Sequence, residues 1–276
     1  MNHADSPSVA PSAHTSAEAF ADASAEAVAG APVARRLTVA VSAEIAERYP
    51  QCRTIFLVAR GIKNHEAWPR TEDELSAFEA DVREGRVTLP GEDEPAIATW
   101  HELLRSFGTN PRRARPSIDA LSRRLRKSGR LPRVSPLVDT CNLISLRWML
   151  PIGGFDLAAF TTGIELRHAR PDDVYVPLGE PDEREVPREG EVVYADGTQI
   201  MTRHWNHRDS HITKVTAGTR DAVVLLEGIA PVVPQETLVR ARQELADLLA
   251  PHAEEVTLYA GDAAEAPFEL SWEPSR

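Results

Sequence analysis

The hydrophobic period of the chain changes near residue 152, and this constrains the fold more than any other feature. Before that point, Ile97–Phe107, Ser117–Lys127 and Leu137–Met149 carry apolar residues at helical spacing. Gly129 and Pro132 stop the second segment and Pro151 the third. Thr71-x-x-Glu74 predicts a capping box opening a helix to about Arg83. After that point, Gly163–Ala169, Glu191–Ala195 and Gln199–Trp205 alternate with period two, and Asp196-Gly197 forms a turn. Leu37–Val41 reads as an alternating strand leading into a short helix through Ile45. Thr54–Ala59 and Ala222–Glu227 read as strands buried on both faces. Thr237–Leu249 is an amphipathic helix, and Val256–Tyr259 closes as a strand. Helical patterns first and strand patterns later define an α+β protein, with layered sheets and packed helices rather than βαβ repeats.

A chain of 276 residues, 42% hydrophobic and 26% charged, suits one large domain with tails. Residues 1–36 are mainly Ala, Ser and Pro with Phe20 as the lone aromatic. Such a leader cannot offset its chain entropy by burial and is expected to be disordered, apart from a short helix over 16–28 on alanine propensity. A single domain is expected over 37–262, followed by a flexible tail over 263–276. No apolar run reaches the roughly 20 residues of a membrane span. No signal peptide is read at the N-terminus, so a cytoplasmic protein is expected. Two cysteines, Cys52 and Cys141, make neither a disulfide framework nor a zinc site, and are expected to be buried thiols.

The net charge of −11 is unevenly placed. Between residues 112 and 133, Arg112, Arg113, Arg115, Arg123, Arg124, Arg126, Lys127, Arg130 and Arg133 face Asp119 alone, a local +8 that leaves −19 elsewhere. The stripe reads either as a solvated helix face or as a phosphate-contact surface for RNA. It holds no aromatic residue, so it would grip a nucleic-acid backbone rather than stack on bases.

The densest polar cluster runs Arg203-His204-Trp205-Asn206-His207-Arg208-Asp209-Ser210-His211. A strand over Gln199–Trp205 puts Arg203 and Trp205 on one face and His204 on the other. His207, Asp209 and His211 then fall in the following loop. The cluster is open to three readings: a His/Asp acid–base pair at a pocket rim, a metal site, or solvated decoration. Its spacing matches no zinc pattern, and no cofactor is expected. Ser210 lacks a G-x-S-x-G elbow, which argues against a serine hydrolase. Asp139 and Asn142 form a polar island in an apolar helix and need partners. Gly153-Gly154-Phe155-Asp156 suits a tight turn or a ligand lying on the main chain.

The order of these segments resembles a known family. Pro136–Asn142, Gly154-Phe155-Asp156-Leu157, Gly163–Arg170, Gly190–Ala195, Arg203–Ser210 and Thr216–Glu227 follow one another as in the B3/B4 domain. That domain is the tRNA-editing module of the phenylalanyl-tRNA synthetase β subunit. Trp205-Asn206-His207-Arg208 is similar to the Trp-Asn-x-Arg element of its free-standing relatives, and the likeness covers about Leu37 to Leu249. The resemblance implies a pocket between sheets and helices in which tyrosine wrongly attached to tRNA is hydrolysed. Where the family places a histidine before Ala-Phe-Asp, this chain has Gly153. Asp209 or His211 would take the family's acidic position.

The leading expectation is therefore a trans-editing factor that hydrolyses a mischarged aminoacyl-tRNA. His207 or His211 would orient water and Asp209 would fix the imidazole. Asn142 and the Gly153/Gly154 backbone would hold the aminoacyl group, with Asp139, Phe155, Arg203, His204, Trp205 and Asn206 around it. Arg112, Arg113, Arg115, Arg123, Arg124, Arg126, Lys127 and Arg130 would contact RNA. The alternatives are a non-catalytic binder of an amino acid or RNA, and a small-molecule enzyme reusing the pocket.

Overall fold

Two sheets and a layer of helices organise the chain. The computed structural model describes residues 34–259 and 267–275, all within one compact unit spanning 32–276. The expected helix over 16–28, most of the expected leader and the expected domain end at 262 lie outside the described residues. Arg35 and Arg36, assigned to the leader by composition, already belong to the first strand, β1 (Arg35–Val41).

The elements follow as α1 (Ala43–Arg48), β2 (Cys52–Arg60), α2 (Pro69–Arg83), α3 (Pro95–Ser106), α4 (Ser117–Ser128) and α5 (Pro136–Trp148). Then come β3 (Ile152–Asp156), β4 (Gly163–His168), β5 (Val192–Asp196), β6 (Gln199–Arg203) and β7 (Arg208–Asp209). The chain closes with β8 (Ala222–Ile229), α6 (Gln235–Leu249), β9 (Glu255–Tyr259) and β10 (Phe268–Trp272). One sheet runs β10-β1-β4-β5-β6-β7 and the other β3-β8-β2-β9. The α+β reading holds.

The four-stranded sheet is the middle layer, which explains its continuous apolar strands. Along β2, Ile55, Leu57 and Ala59 pack with the helices, while Phe56 and Val58 pack toward the six-stranded sheet. Along β8, Val224 and Leu226 face the helices and Val223 and Leu225 the other sheet. With period two, Glu227 continues the inter-sheet row. A carboxylate is thus carried into an apolar interior.

Three local expectations need correction. The helix expected from a Thr71 capping box begins at Pro69, whose fixed φ suits a first helical turn. Thr71 is buried instead, its hydroxyl 3.0 Å from that of Thr140 on α5. The expected flexible tail contains β10, which pairs antiparallel with β1 from Arg35↔Trp272 to Val39↔Phe268 and buries Leu270. The strand expected to reach Trp205 ends at Arg203, because His204 (φ 48°) and Trp205 (φ 69°) are left-handed. That turn sends Arg203 and Trp205 in different directions rather than along one face. Arg203 forks onto Glu191 and reaches Glu185, whereas Trp205 enters the inter-sheet core.

Candidate active site

The site sits where the inter-sheet core meets the turn after β6. Glu227, 1% exposed, is its centre. Its Oε1 accepts from the Tyr194 hydroxyl at 2.6 Å and the Trp205 indole N–H at 2.8 Å, and its Oε2 accepts from the Asn206 amide at 3.0 Å. Burial pushes the Glu227 carboxyl up to about 7, against the pull of these three donors. Asp209 is shifted the same way, up to about 6, by burial, with one hydrogen bond at 2.9 Å from Thr202 opposing it. Asp209 also disfavours ionisation of Glu227 by like charge.

These groups line a cavity of about 40 Å³ with Ser117, Gly153, Phe155, Leu225 and His207. The His207 ring bonds the Arg115 carbonyl through Nδ1 at 2.8 Å. Only a protonated Nδ1 can make that contact, so Nε2 keeps its lone pair in the neutral ring. Burial lowers the His207 pKa, which favours that neutral form. The Asn206 Oδ1 and Ser117 Oγ are buried and have no hydrogen-bond partner among the described residues. The cavity is therefore lined by a neutral imidazole and two carboxyls that titrate near neutrality, and two of its lining residues, Ser117 and Asn206, hold buried polar atoms without partners.

Of the residues singled out in the sequence, Gly153, Phe155, Trp205, Asn206, His207 and Asp209 meet at this cavity. The others stand elsewhere. His211 does not line the cavity: its Nδ1 accepts from the Gly179 N–H at 3.2 Å, and the Lys214 ammonium lies 3.0 Å from Nε2. His204 bonds the Thr109 hydroxyl at 3.0 Å, and burial lowers its pKa to about 4. The three histidines do not converge on a common point. Arg203 is held by Glu185 and Glu191. Asp139 accepts from the Val134 N–H at 3.0 Å in the helical layer. Asn142 is half-buried on α5, away from the cavity lining. Gly154 faces the opposite side of β3, where an added Cβ would meet Val215 and Cys141 at 3.7 and 3.8 Å. Cys141 is a buried thiol pushed up to about 12 by its surroundings, and Cys52 is half-buried.

Glu227, Tyr194, Thr202 and Ser117 complete the site and were not singled out from sequence. The only signal in the sequence was Glu227 itself, one acid at an inward position of a buried apolar strand.

The basic stripe divides in two. Arg115 turns inward to Asp119 at 2.8 Å and to Glu92, and Arg133 is clamped by Glu72 and Glu79. Arg112 and Arg123 stay exposed beside Glu92. Arg113, Arg124, Arg126, Lys127 and Arg130 are exposed and make no ion pair among the described residues. The start of α4 is fastened to the cavity wall, since Ser117 N–H donates to the Asn206 carbonyl at 3.0 Å.

The family model of the B3/4 domain matches residues 99–250, so the chain belongs to the B3/4 domain family. Among solved structures it is similar to an N-terminal fragment of the phenylalanyl-tRNA synthetase β subunit from Pyrococcus horikoshii, at 14% identity and a TM-score of 0.40. That alignment covers 80% of this chain and 50% of the fragment, so the chain spans about half the fragment's length. No curated protein matches the chain. Among the described residues, no helix is long and apolar enough to cross a membrane.

Proposed function

We propose that the chain hydrolyses the ester of an aminoacyl-tRNA, with the aminoacyl end at the Glu227–His207 cavity and tRNA phosphates on α4. One observation carries the reading. The Ser117–Asn206 and Arg115–His207 hydrogen bonds join the start of the basic helix to the acid–base cavity, so one ligand can reach both. Membership of the B3/4 family agrees with a tRNA-related role.

In this reading the neutral His207 takes a proton from water at Nε2 as the water oxygen bonds to the ester carbonyl carbon. The carbonyl electron pair moves onto oxygen, then returns as the bond to the ribose oxygen breaks. The departing oxygen takes the proton back from His207, giving a free amino acid and an intact tRNA hydroxyl. Gly153 lines the cavity, and its lack of a side chain leaves room there for the aminoacyl group. Asp209 lies two residues beyond His207 and supplies a second titrating group at the cavity. The decisive experiment offers the protein a panel of aminoacylated tRNAs and follows release of the amino acid. Turnover that disappears in His207→Ala is expected. The absence of turnover for every tRNA, or equal turnover in that variant, overturns the reading. Stabilisation by a free amino acid without turnover would replace it with a binding role.

A further inference from the structure

We infer that this cavity selects a small aminoacyl group rich in hydrogen-bond donors, seryl foremost, and that Phe155 is the residue that excludes aromatic ones. The inference rests on the aminoacyl reading above and names its substrate class. Three observations carry it.

The first is size. By the measure in which one water needs roughly 10–15 Å³, a cavity of about 40 Å³ holds on the order of three water molecules. Beyond Cα, a seryl side chain has two heavy atoms, within that space, whereas a tyrosyl side chain has eight and exceeds it.

The second is what fills the remaining space. Residues 153 and 155 share one face of β3, and a Cβ on Gly153 would lie 3.1 and 3.2 Å from Cε2 and Cζ of the Phe155 ring. Glycine at 153 lets that ring fold over the strand, so Phe155 forms the cavity wall where a side chain at 153 would otherwise stand. Leu225 backs the same spot, with its Cδ1 3.5 Å from that Cβ position.

The third is polarity. Asn206, only 8% exposed, lines the cavity, and its Oδ1 is buried there without a hydrogen-bond partner. The Ser117 hydroxyl is unpartnered as well. Beside them stand the carboxyls of Asp209 and Glu227. A lining rich in acceptors favours an ammonium and a hydroxyl, and leaves an aromatic ring facing unpaired polar groups. Sites that hydrogen-bond a ligand hydroxyl reject analogues lacking it far more strongly than apolar pockets reject an extra methylene.

The test separates binding from hydrolysis by using amino-acid amides, which keep the ammonium and side chain but resist cleavage. Calorimetric titration of the full chain with serinamide, alaninamide and tyrosinamide is expected to give saturable binding in that order, serinamide leading tyrosinamide by at least about 10-fold. Phe155→Leu is expected to narrow or reverse that ratio. Leu225→Ala, at a lining position on the same inter-sheet face as Phe155, provides a second opening should the Phe155 variant fold poorly. Tyrosinamide binding equal to or tighter than serinamide, or the absence of binding by every amide, overturns the inference. Seryl- and tyrosyl-tRNA hydrolysis are followed in parallel. Serinamide binding without ester cleavage sinks the hydrolase reading alone, and preferred cleavage of the tyrosyl ester sinks the size inference alone.

Discussion

Trp205 donates its indole N–H to Glu227 across 2.8 Å from a backbone held in the left-handed region. Non-glycine residues at positive φ cost on the order of 1–3 kcal/mol, and here two stand in succession, His204 and Trp205. Compensation comes from both sides. The ring of Trp205 packs edge-on against Tyr49 and Trp100, and the His204 N–H donates to Glu191 at 3.2 Å. The turn in this way delivers Trp205 and Asn206 to one buried carboxylate and His207 and Asp209 to the same cavity.

That carboxylate makes stability fall as pH rises. Glu227 titrates at about 7 in the folded chain against an ordinary value of 4.5, so the folded state binds the proton more tightly. Its contribution is complete below about pH 4.5 and is lost as pH rises through 7. Asp209, at about 6 against 3.8, acts in the same sense over a lower window. Glu227→Gln keeps the site uncharged and can still accept from Tyr194 and Trp205. A turn of the Asn206 amide lets its unpartnered Oδ1 accept from the new side chain. Urea unfolding of both proteins from pH 4.5 to 8 is expected to shift in the variant's favour by about 2–3 kcal/mol. A constant difference across that range would show that Glu227 is not held protonated by burial.

The two candidate histidines are separable by kinetics. His207→Ala is expected to lower aminoacyl-ester hydrolysis by roughly 10²–10⁴-fold, the usual loss of a general base. His211→Ala should stay within about 3-fold of the parent chain, because its ring is engaged with Gly179 and Lys214 away from the cavity. Equal losses in both variants would contradict this assignment.

The sequence showed the layers more clearly than the site, for physical reasons. Periodicity reports burial, and burial on both faces is why Thr54–Ala59 and Ala222–Glu227 read correctly as internal strands. It cannot report a left-handed pair such as His204-Trp205, since neither residue type announces that conformation. One wrong turn there put Trp205 on the wrong face and left its carboxylate partner unnoticed. The family resemblance located the Gly154–Leu157 and Arg203–Ser210 segments, but not which of their side chains converge. Nearness in sequence leaves His207 and His211 as alternatives for one role, whereas β7 and the bridge of Ser210 to Pro177 carry His211 off toward Gly179.

The outward part of α4 is predicted to act through phosphate charge. Arg124, Arg126 and Lys127 are exposed on α4 and lack ion-pair partners among the described residues. Replacing all three with Ala should weaken tRNA binding and reduce the slope of log affinity against log salt by roughly 0.7–0.9 for each phosphate that is no longer neutralised. Arg133→Ala is the control: it releases Glu79, so it should lower stability while leaving the salt slope unchanged. Binding measured at salt concentrations from roughly 50 to 200 mM distinguishes the cases. An unchanged slope in the triple variant would reduce the stripe to a solvated helix face.

The C-terminal strand closes the edge that β1 would otherwise present. Composition over 263–276 suggested a flexible tail, since its apolar residues are few and interrupted by Pro and Glu. The structure gives those few residues alternating roles: Leu270 is fully buried and Trp272 nearly so, while Glu269 points outward. Leu270 joins the inter-sheet cluster that also holds Leu37 and Phe268. Truncation of a core leucine costs about 2–5 kcal/mol, so Leu270→Ala should lower unfolding free energy by that amount. Glu269→Ala should stay within about 0.5 kcal/mol, as exposed substitutions do. Urea titrations with matched m-values read both changes. A Leu270→Ala variant as stable as the parent chain would return residues 268–272 to the status of a tail.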